Sequence, residues 1–85
     1  MSKSAFSDAH QILVEHLTAA RIQSGIKQAD LAALIGKNQS YISNIERGQR
    51  RVDLLEFYAL SKAMRVDPAA LAQEIFARFP NEVTI

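Results

Sequence analysis

Residues 28–48, QADLAALIGKNQSYISNIERG, contain two short apolar periodicities separated by a single glycine. Gly36 can adopt the positive φ that ends a helix and turns the chain sharply. Ile42 and Ile45 are three residues apart and therefore share one face of the second helix. Ala32 is small enough for the two helices to cross closely. We expect the isoleucines to pack on the apolar side chains of the first helix, Leu31, Leu34 and Ile35.

The outer face of the second helix is polar. Its candidate base-reading side chains are Gln39, Ser40, Tyr41 and Asn44. Amide and hydroxyl groups donate and accept hydrogen bonds toward base edges in a DNA major groove. Two short helices around a tight turn, with such a face on the second, predict a DNA-binding helix-turn-helix. Two alternatives stay open at this point: the polar residues are ordinary solvated positions, and Tyr41 packs against its own domain.

The composition of the chain indicates one globular domain. Its 85 residues are 48% hydrophobic and show no linker or low-complexity tract, so we expect a single domain over 1–85, a core over 8–79 and a helix-turn-helix over 28–47. The absence of cysteine excludes disulfides and thiolate metal sites. No apolar run approaches a membrane span and no secretory signal is visible, so we expect a cytoplasmic protein without membrane contact.

The charges of the chain are unevenly distributed, although the net charge is only +1. Residues 36–51 carry four cations against Glu46 alone, a net charge of +3, whereas residues 66–85 carry a net charge of −2. A cluster of cations is by itself often just a solvated surface. Beside a helix-turn-helix pattern, the same cluster favours contact with DNA phosphates.

Five helices and no convincing strand are predicted, so the fold class is an all-α compact bundle of five short helices. The first helix begins at Ser7 or Asp8 and ends by Gly25. Its expected inward positions are Ile12, Leu13, Leu17, Ala20 and Ile22. The second and third helices span residues 28–35 and 39–47. Asn38 can cap the third, whereas Lys27 has no acceptor with which to cap the second.

The last two helices are marked by their first turns. Asp53 with Glu56 forms a capping-box pattern that opens a fourth helix reaching about residue 64. This helix carries more apolar side chains than one buried face needs. Asp67 followed by Pro68 opens a fifth helix that Pro80 stops. Its apolar stripe is Leu71, Ile75, Phe76 and Phe79.

Residues 20–32, 35–36 and 39–48 resemble the lambdoid repressor and Cro-like helix-turn-helix proteins, the Xre family of regulators. The similarity continues through residues 60–67 and covers roughly residues 13 to 76, most of the chain. It rests on an arginine in the first helix, the glutamine at position 28, Ala32, Gly36, the paired isoleucines and the Glu-Arg-Gly of residues 46–48. The resemblance implies a lambda-repressor-like domain that regulates transcription.

The resemblance also implies roles for individual residues. Gln28 matches a residue that clamps a backbone phosphate, and Arg21 with Glu46 matches a structural ion pair. The positions of Gln39, Ser40 and Asn44 reach base edges in the family, and Tyr41 shares their face. Ser43 and the loop after Gly48 also match phosphate sites of the family. With the cations that lie beside the helix-turn-helix, the full set expected at DNA phosphates is Lys27, Gln28, Lys37, Ser43, Arg47, Gln49, Arg50 and Arg51. The chain departs from the family pattern at Lys27, Lys37 and Val52, where a cap, an apolar residue and a proline are common.

A homodimer on a palindromic operator is the expected assembly, because one such domain contacts few base pairs. The expected dimer or partner surface is Leu71, Ile75, Phe76, Phe79, Val83 and Ile85. The alternative function is that of an antitoxin or controller whose main role is to bind a partner protein through this surface.

The sequence does not indicate an enzymatic function. His10 and His16 are six residues apart, point to different faces of the first helix and cannot form an i, i+4 metal pair. We expect both to be solvated, and we expect neither a metal nor a cofactor.

Overall fold

The computed structural model describes residues 8–83, and over that range the chain forms five helices and no strand. The helices are α1 (Asp8–Gln23), α2 (Gln28–Leu34), α3 (Gln39–Glu46), α4 (Leu54–Ala63) and α5 (Pro68–Arg78). The all-α prediction is confirmed, and the predicted helix ends agree with the observed ones to within two residues. Ser7, the other candidate first residue of α1, lies outside the described range.

The helix starts follow from side-chain caps. Asn38, Asp53 and Asp67 each accept a hydrogen bond from a backbone N–H in the first turn of α3, α4 and α5. Glu56 completes the capping box of α4 by accepting the backbone N–H of Asp53 at 2.9 Å. As predicted, Lys27 provides no side-chain cap for α2.

Four helices end in the same backbone motif. The residue after the last helical turn has a positive φ, 75° at Gly25, Gly36 and Gly48 and 62° at Arg65. The next backbone N–H then bonds a carbonyl five residues earlier, which is the Schellman arrangement. Arg65 is therefore a non-glycine residue at a position that glycine fills in the other three helices.

The recognition-type helix α3 lies at the centre of the core. Ile42 and Ile45 are almost fully buried, and Ala32 at the α2 crossing is 0% exposed. The buried cluster around them is Leu17, Ala20, Leu31, Leu60, Met64, Leu71 and Ile75. This packing fixes the buried side of α3 and leaves its polar side outward.

Two apolar residues expected in the core are instead exposed. Leu34 and Ile22 are each 63% exposed. At about 100° per residue, Leu34 lies roughly a quarter-turn from the face that Leu31 and Ile35 share, because α2 is too short to bury a wide stripe. Ile22 follows the buried Leu17 by five residues, a net rotation of about 140°, so it lies on nearly the opposite side of α1.

Three further expectations are corrected by burial. His10 is 5% exposed, because it lies on the α1 face of Val14 and Leu17 at i, i+4 and i+7 spacing. Leu71 and Ile75, placed on the dimer surface by the sequence, belong to the core at 5% and 1% exposure. Their i, i+4 spacing turns both toward α1 and α4. None of the helices within residues 8–83 has the length and apolar character needed to cross a membrane.

Candidate nucleic-acid interface

A hydrogen-bond chain links α1, α2 and α3 beneath the outer face of α3. Arg21 donates to both carboxylate oxygens of Glu46, from Nε at 2.6 Å and from Nη2 at 3.1 Å. Gln28 Nε2 donates to Glu46 Oε1 at 2.9 Å, and Gln39 Nε2 donates to Gln28 Oε1 at 3.2 Å. The predicted Arg21–Glu46 pair is therefore present. It also orients Gln28, which in turn orients Gln39.

The Arg21–Glu46 pair is largely enclosed, with side-chain exposures of 14% and 12%. Arg21 Nη1 donates further to the Ile26 carbonyl at 2.9 Å, in the connection before α2. A bidentate arginine–carboxylate contact has a fixed fork geometry, so it sets orientation as well as distance. The pair holds the ends of α1 and α3 together while both Gln28 and Gln39 stay near the surface.

The remaining polar residues of the α3 face make local bonds. Ser40 Oγ donates to Asn38 Oδ1 at 2.8 Å, so the α3 cap also orients a candidate base reader. Arg47 Nη2 donates to Asn44 Oδ1 at 2.6 Å, and its Nη1 lies 3.4 Å from Ser43 Oγ. These bonds lie on the surface, where DNA groups can replace them at little net cost.

Tyr41 stands apart from the other candidate readers because it is half-buried under a cation. The Arg50 guanidinium lies 4.4 Å from its ring centroid, and Lys37 Nζ lies 5.3 Å from it. Burial, and a hydrogen bond with the Glu56 carboxylate, raise the pKa of the Tyr41 hydroxyl above its usual range. This is the packing against its own domain that the sequence left open, although part of the ring stays exposed.

Arg50 and Glu56 form the second ion pair found within residues 8–83. Arg50 Nη1 and Nη2 donate to the two Glu56 oxygens at 3.1 and 2.9 Å, and Nη1 also donates to the Arg51 carbonyl at 2.7 Å. The Arg50 guanidinium and the Asp53 backbone N–H together lower the pKa of Glu56 to about 2. The loop after α3 is thus fixed to the start of α4.

The other expected phosphate contacts surround this face. Lys27, Lys37, Arg47, Gln49 and Arg51 are all exposed, and Ser43 is half-buried. They come from the connection before α2, the turn between α2 and α3, and the end of α3 with its following loop. A polar helix face edged by cations suits a duplex whose phosphates flank a groove.

Comparison with known proteins identifies the family. A helix-turn-helix family model matches residues 17–71. An XRE-family-like protein from Pseudomonas syringae pv. tomato is 38% identical, with a TM-score of 0.79 over 85% of this chain and 88% of that one. The chain belongs to the Xre family of helix-turn-helix proteins. The predicted family and fold are confirmed, and the protein is a DNA-binding transcriptional regulator.

Two further relatives of this Xre-family protein are controllers. The control protein C.SmaI of Serratia marcescens is 34% identical over 59 residues, which are 69% of this chain and 70% of that protein. The restriction-modification controller protein C.AhdI of Aeromonas hydrophila is also 34% identical. Its structure gives a TM-score of 0.65 over 75% of this chain and 96% of that one.

Sequence reasoning missed two features of the site. Glu56 was recognised only as half of a capping box, although it also holds Arg50 and interacts with Tyr41. Leu54 and Leu55 are 83% and 76% exposed at the start of α4 and were not assigned to any surface. The excess of apolar residues in α4 was the available signal for the second feature.

Proposed function

We propose that this Xre-family regulator binds double-stranded DNA sequence-specifically as a homodimer on a palindromic operator and represses transcription. The observation that carries the proposal is the α3 face, where Gln39 is held by Gln28 and lies beside exposed cations. A glutamine amide can pair with adenine in two places, whereas Ser40 and Asn44 are shorter and more permissive readers. No catalytic step is part of this function.

The position of each remaining interface residue indicates its role on DNA. Gln28 lies at the start of α2 with its amide already oriented, so it is suited to clamp a backbone phosphate. Lys27, Lys37, Ser43, Arg47, Gln49 and Arg51 surround the reading face and would position the duplex without reading its sequence. Tyr41 would meet the DNA through the exposed part of its ring.

An exposed apolar surface supports the dimer. It comprises the large side chains Leu54, Leu55, Tyr58, Phe76 and Val83. Beside it runs an apolar groove of about 220 Å³ between α4 and α5, lined in part by Phe57, Phe76 and Phe79. Leu54 and Phe76 line this groove together, and a large exposed apolar patch is typical of an association site. Of the predicted surface, Phe76 and Val83 belong to this one and Phe79 lines the groove beside it, whereas Leu71 and Ile75 are buried. Ile85 lies outside the described residues.

The surface begins just after the loop that follows α3. Pairing of two copies through the start of α4 would place the two reading helices on the same face of the dimer, one on each side of the two-fold axis. Half-sites about one helical turn, roughly 34 Å, apart are then expected.

Selection of bound duplexes from a random library tests the reading function. A palindromic enriched motif is expected, and no enrichment would favour the alternative in which the apolar surface serves a partner protein. Sedimentation equilibrium tests the dimer, because the native protein should be dimeric at tens of micromolar and Leu55→Glu monomeric. Ile22→Glu, at an exposed position of α1 that does not line the groove, is the matched control and should stay dimeric. A monomeric native protein would contradict the constitutive dimer.

A further inference from the structure

The Glu56 carboxylate collects four interactions at the edge of the DNA-facing side. It accepts two hydrogen bonds from Arg50 and one from the backbone N–H of Asp53, and it interacts with the Tyr41 hydroxyl. Its side chain is only 23% exposed. Because the Asp53 bond belongs to the capping box, the start of α4 fixes the orientation of Glu56 even without Arg50.

We infer that Glu56 holds the Arg50 guanidinium off the DNA backbone and on the Tyr41 ring. Glu56 and Arg50 are then positioning residues for Tyr41, and Glu56 limits sequence-independent binding. This inference rests on the proposed DNA-binding function. It also changes the expected role of Arg50, which sequence position alone assigned to phosphates.

The hydrogen bonds of Arg50 carry the first half of the inference. Its two terminal nitrogens already donate to Glu56 and to the Arg51 carbonyl, and its face covers the Tyr41 ring. These bonds use three of the five Arg50 N–H groups, and moving the guanidinium off the ring toward a phosphate would break the two charge-assisted bonds to Glu56, which are among the stronger hydrogen bonds in proteins. It would also leave the Glu56 carboxylate uncompensated beside the negatively charged duplex.

Tyr41 is positioned by the same two residues. Its ring is held by the Arg50 cation 4.4 Å from its centroid, and Glu56 fixes that cation through two hydrogen bonds. A ring held in this way presents its exposed part to the groove without ordering a rotamer on binding, which lowers the entropic cost of association. Arg50 thus contributes through Tyr41 to sequence discrimination and adds no phosphate contact of its own.

The salt dependence of DNA affinity separates these roles. The slope of log K against log salt is negative, and each phosphate contact increases its magnitude by about 0.9. Glu56→Gln retains an acceptor for the Asp53 N–H but releases Arg50. It should bind a random duplex more tightly than the native protein, with a slope steeper by about 0.9. Arg50→Gln should leave the slope unchanged while reducing preference for the selected operator over random duplex.

Two controls complete the set. Lys27→Gln removes an exposed cation expected at a phosphate, so it should reduce the magnitude of the slope by about 0.9 and calibrates the measurement. The double variant Glu56→Gln/Arg50→Gln should return the slope to the native value. The inference is overturned if Arg50→Gln alone reduces the magnitude of the slope as Lys27→Gln does, or if Glu56→Gln leaves the slope unchanged.

The contact itself is tested without DNA. In a Tyr58→Phe background Tyr41 is the one remaining tyrosine, so its ring signals can be followed by NMR. Glu56→Gln removes the negative charge beside the hydroxyl and should lower the pKa of Tyr41. An unchanged pKa of Tyr41 in Glu56→Gln would refute the positioning of Tyr41 by Glu56, whether or not the protein binds DNA. The two experiments can also disagree. If the native protein enriches no DNA sequence but Glu56→Gln lowers the pKa of Tyr41, only the proposed function is refuted.

Discussion

Replacing Arg65 by glycine should stabilise the protein, because this residue occupies a backbone conformation that costs energy. Arg65 has φ 62° in the motif that ends α4, and it is exposed. Val66 N bonds Ser61 O at 2.9 Å and Arg65 N bonds Lys62 O at 3.0 Å, so the motif is fully formed. The other three helices that end in this motif place glycine at the same position.

The expected gain follows from opposing terms. A left-handed backbone costs an L-residue about 1–2 kcal/mol, and glycine removes that cost. Glycine also loses more chain entropy on folding, about 0.5–1 kcal/mol. The arginine charge near the negative end of α4 stabilises the helix by about 0.3 kcal/mol, and Arg65→Gly loses this contribution. The net gain is about 0.5 kcal/mol, which raises the melting temperature by roughly 2–4 °C in a domain of this size.

Thermal unfolding followed by circular dichroism measures the effect, with Gly25→Ala as the reverse control. A Cβ added at Gly25 meets no other atom within 4 Å, so that substitution introduces the backbone cost alone. It should lower the free energy of unfolding by about 0.5–1 kcal/mol. If Arg65→Gly instead lowers the melting temperature while Gly25→Ala behaves as expected, the Arg65 side chain stabilises the fold and the backbone reasoning is refuted.

Three other predictions concern the interface and the core. Glu46→Gln should lower the free energy of unfolding by about 2–3 kcal/mol, because it leaves the largely enclosed Arg21 without its carboxylate. In urea unfolding, the double variant Arg21→Met/Glu46→Leu should recover much of that loss. Losses that simply add would contradict this. Gln39→Ala should relax preference at one base position by about 1–3 kcal/mol; an equal loss for every duplex in competition binding would show that Gln39 is not a reader. Burial, with the Arg51 charge adding to it, lowers the pKa of His10 below its usual value of about 6.5. The unfolded chain therefore binds that proton more readily than the folded protein. The contribution of neutral His10 to the free energy of unfolding should be fully present above about pH 6.5 and should be lost as the pH falls through the lowered pKa. His10→Gln should flatten this part of the pH profile, and an unchanged profile would refute the assignment.

The sequence was sufficient for features that depend on neighbours along the chain. The caps at Asn38, Asp53 and Asp67 and the turn at Gly36 are local, and all occur as predicted. The Arg21–Glu46 pair spans 25 residues, and it was anticipated from the family resemblance, not from spacing.

Features that depend on rotation about a helix or on a second element were missed. His10 and Leu34 have unremarkable sequence contexts, and only the packing of α1 and α2 decides that the first is buried and the second exposed. An apolar stripe likewise predicts a buried face but does not say where that face ends. Phe76 follows the buried Ile75 directly and is exposed because one residue turns the helix by about 100°.

The segment from Gly48 to Glu56 connects the two surfaces on which the proposed function depends. Gly48 ends α3, Arg50 covers Tyr41, and Glu56 holds Arg50 while capping the helix that carries Leu54 and Leu55. Because the capping box and the ion pair share one carboxylate, a shift of the α4 start would also move the cation over the tyrosine. Association of two copies through α4 and the orientation of Tyr41 on DNA should therefore be thermodynamically coupled. The coupling is reciprocal, so operator DNA should strengthen the dimer by the same factor by which dimerisation strengthens DNA binding. Glu56→Gln should therefore reduce both the strengthening of the dimer by operator DNA and the strengthening of DNA binding by dimerisation, as measured by sedimentation with and without operator DNA.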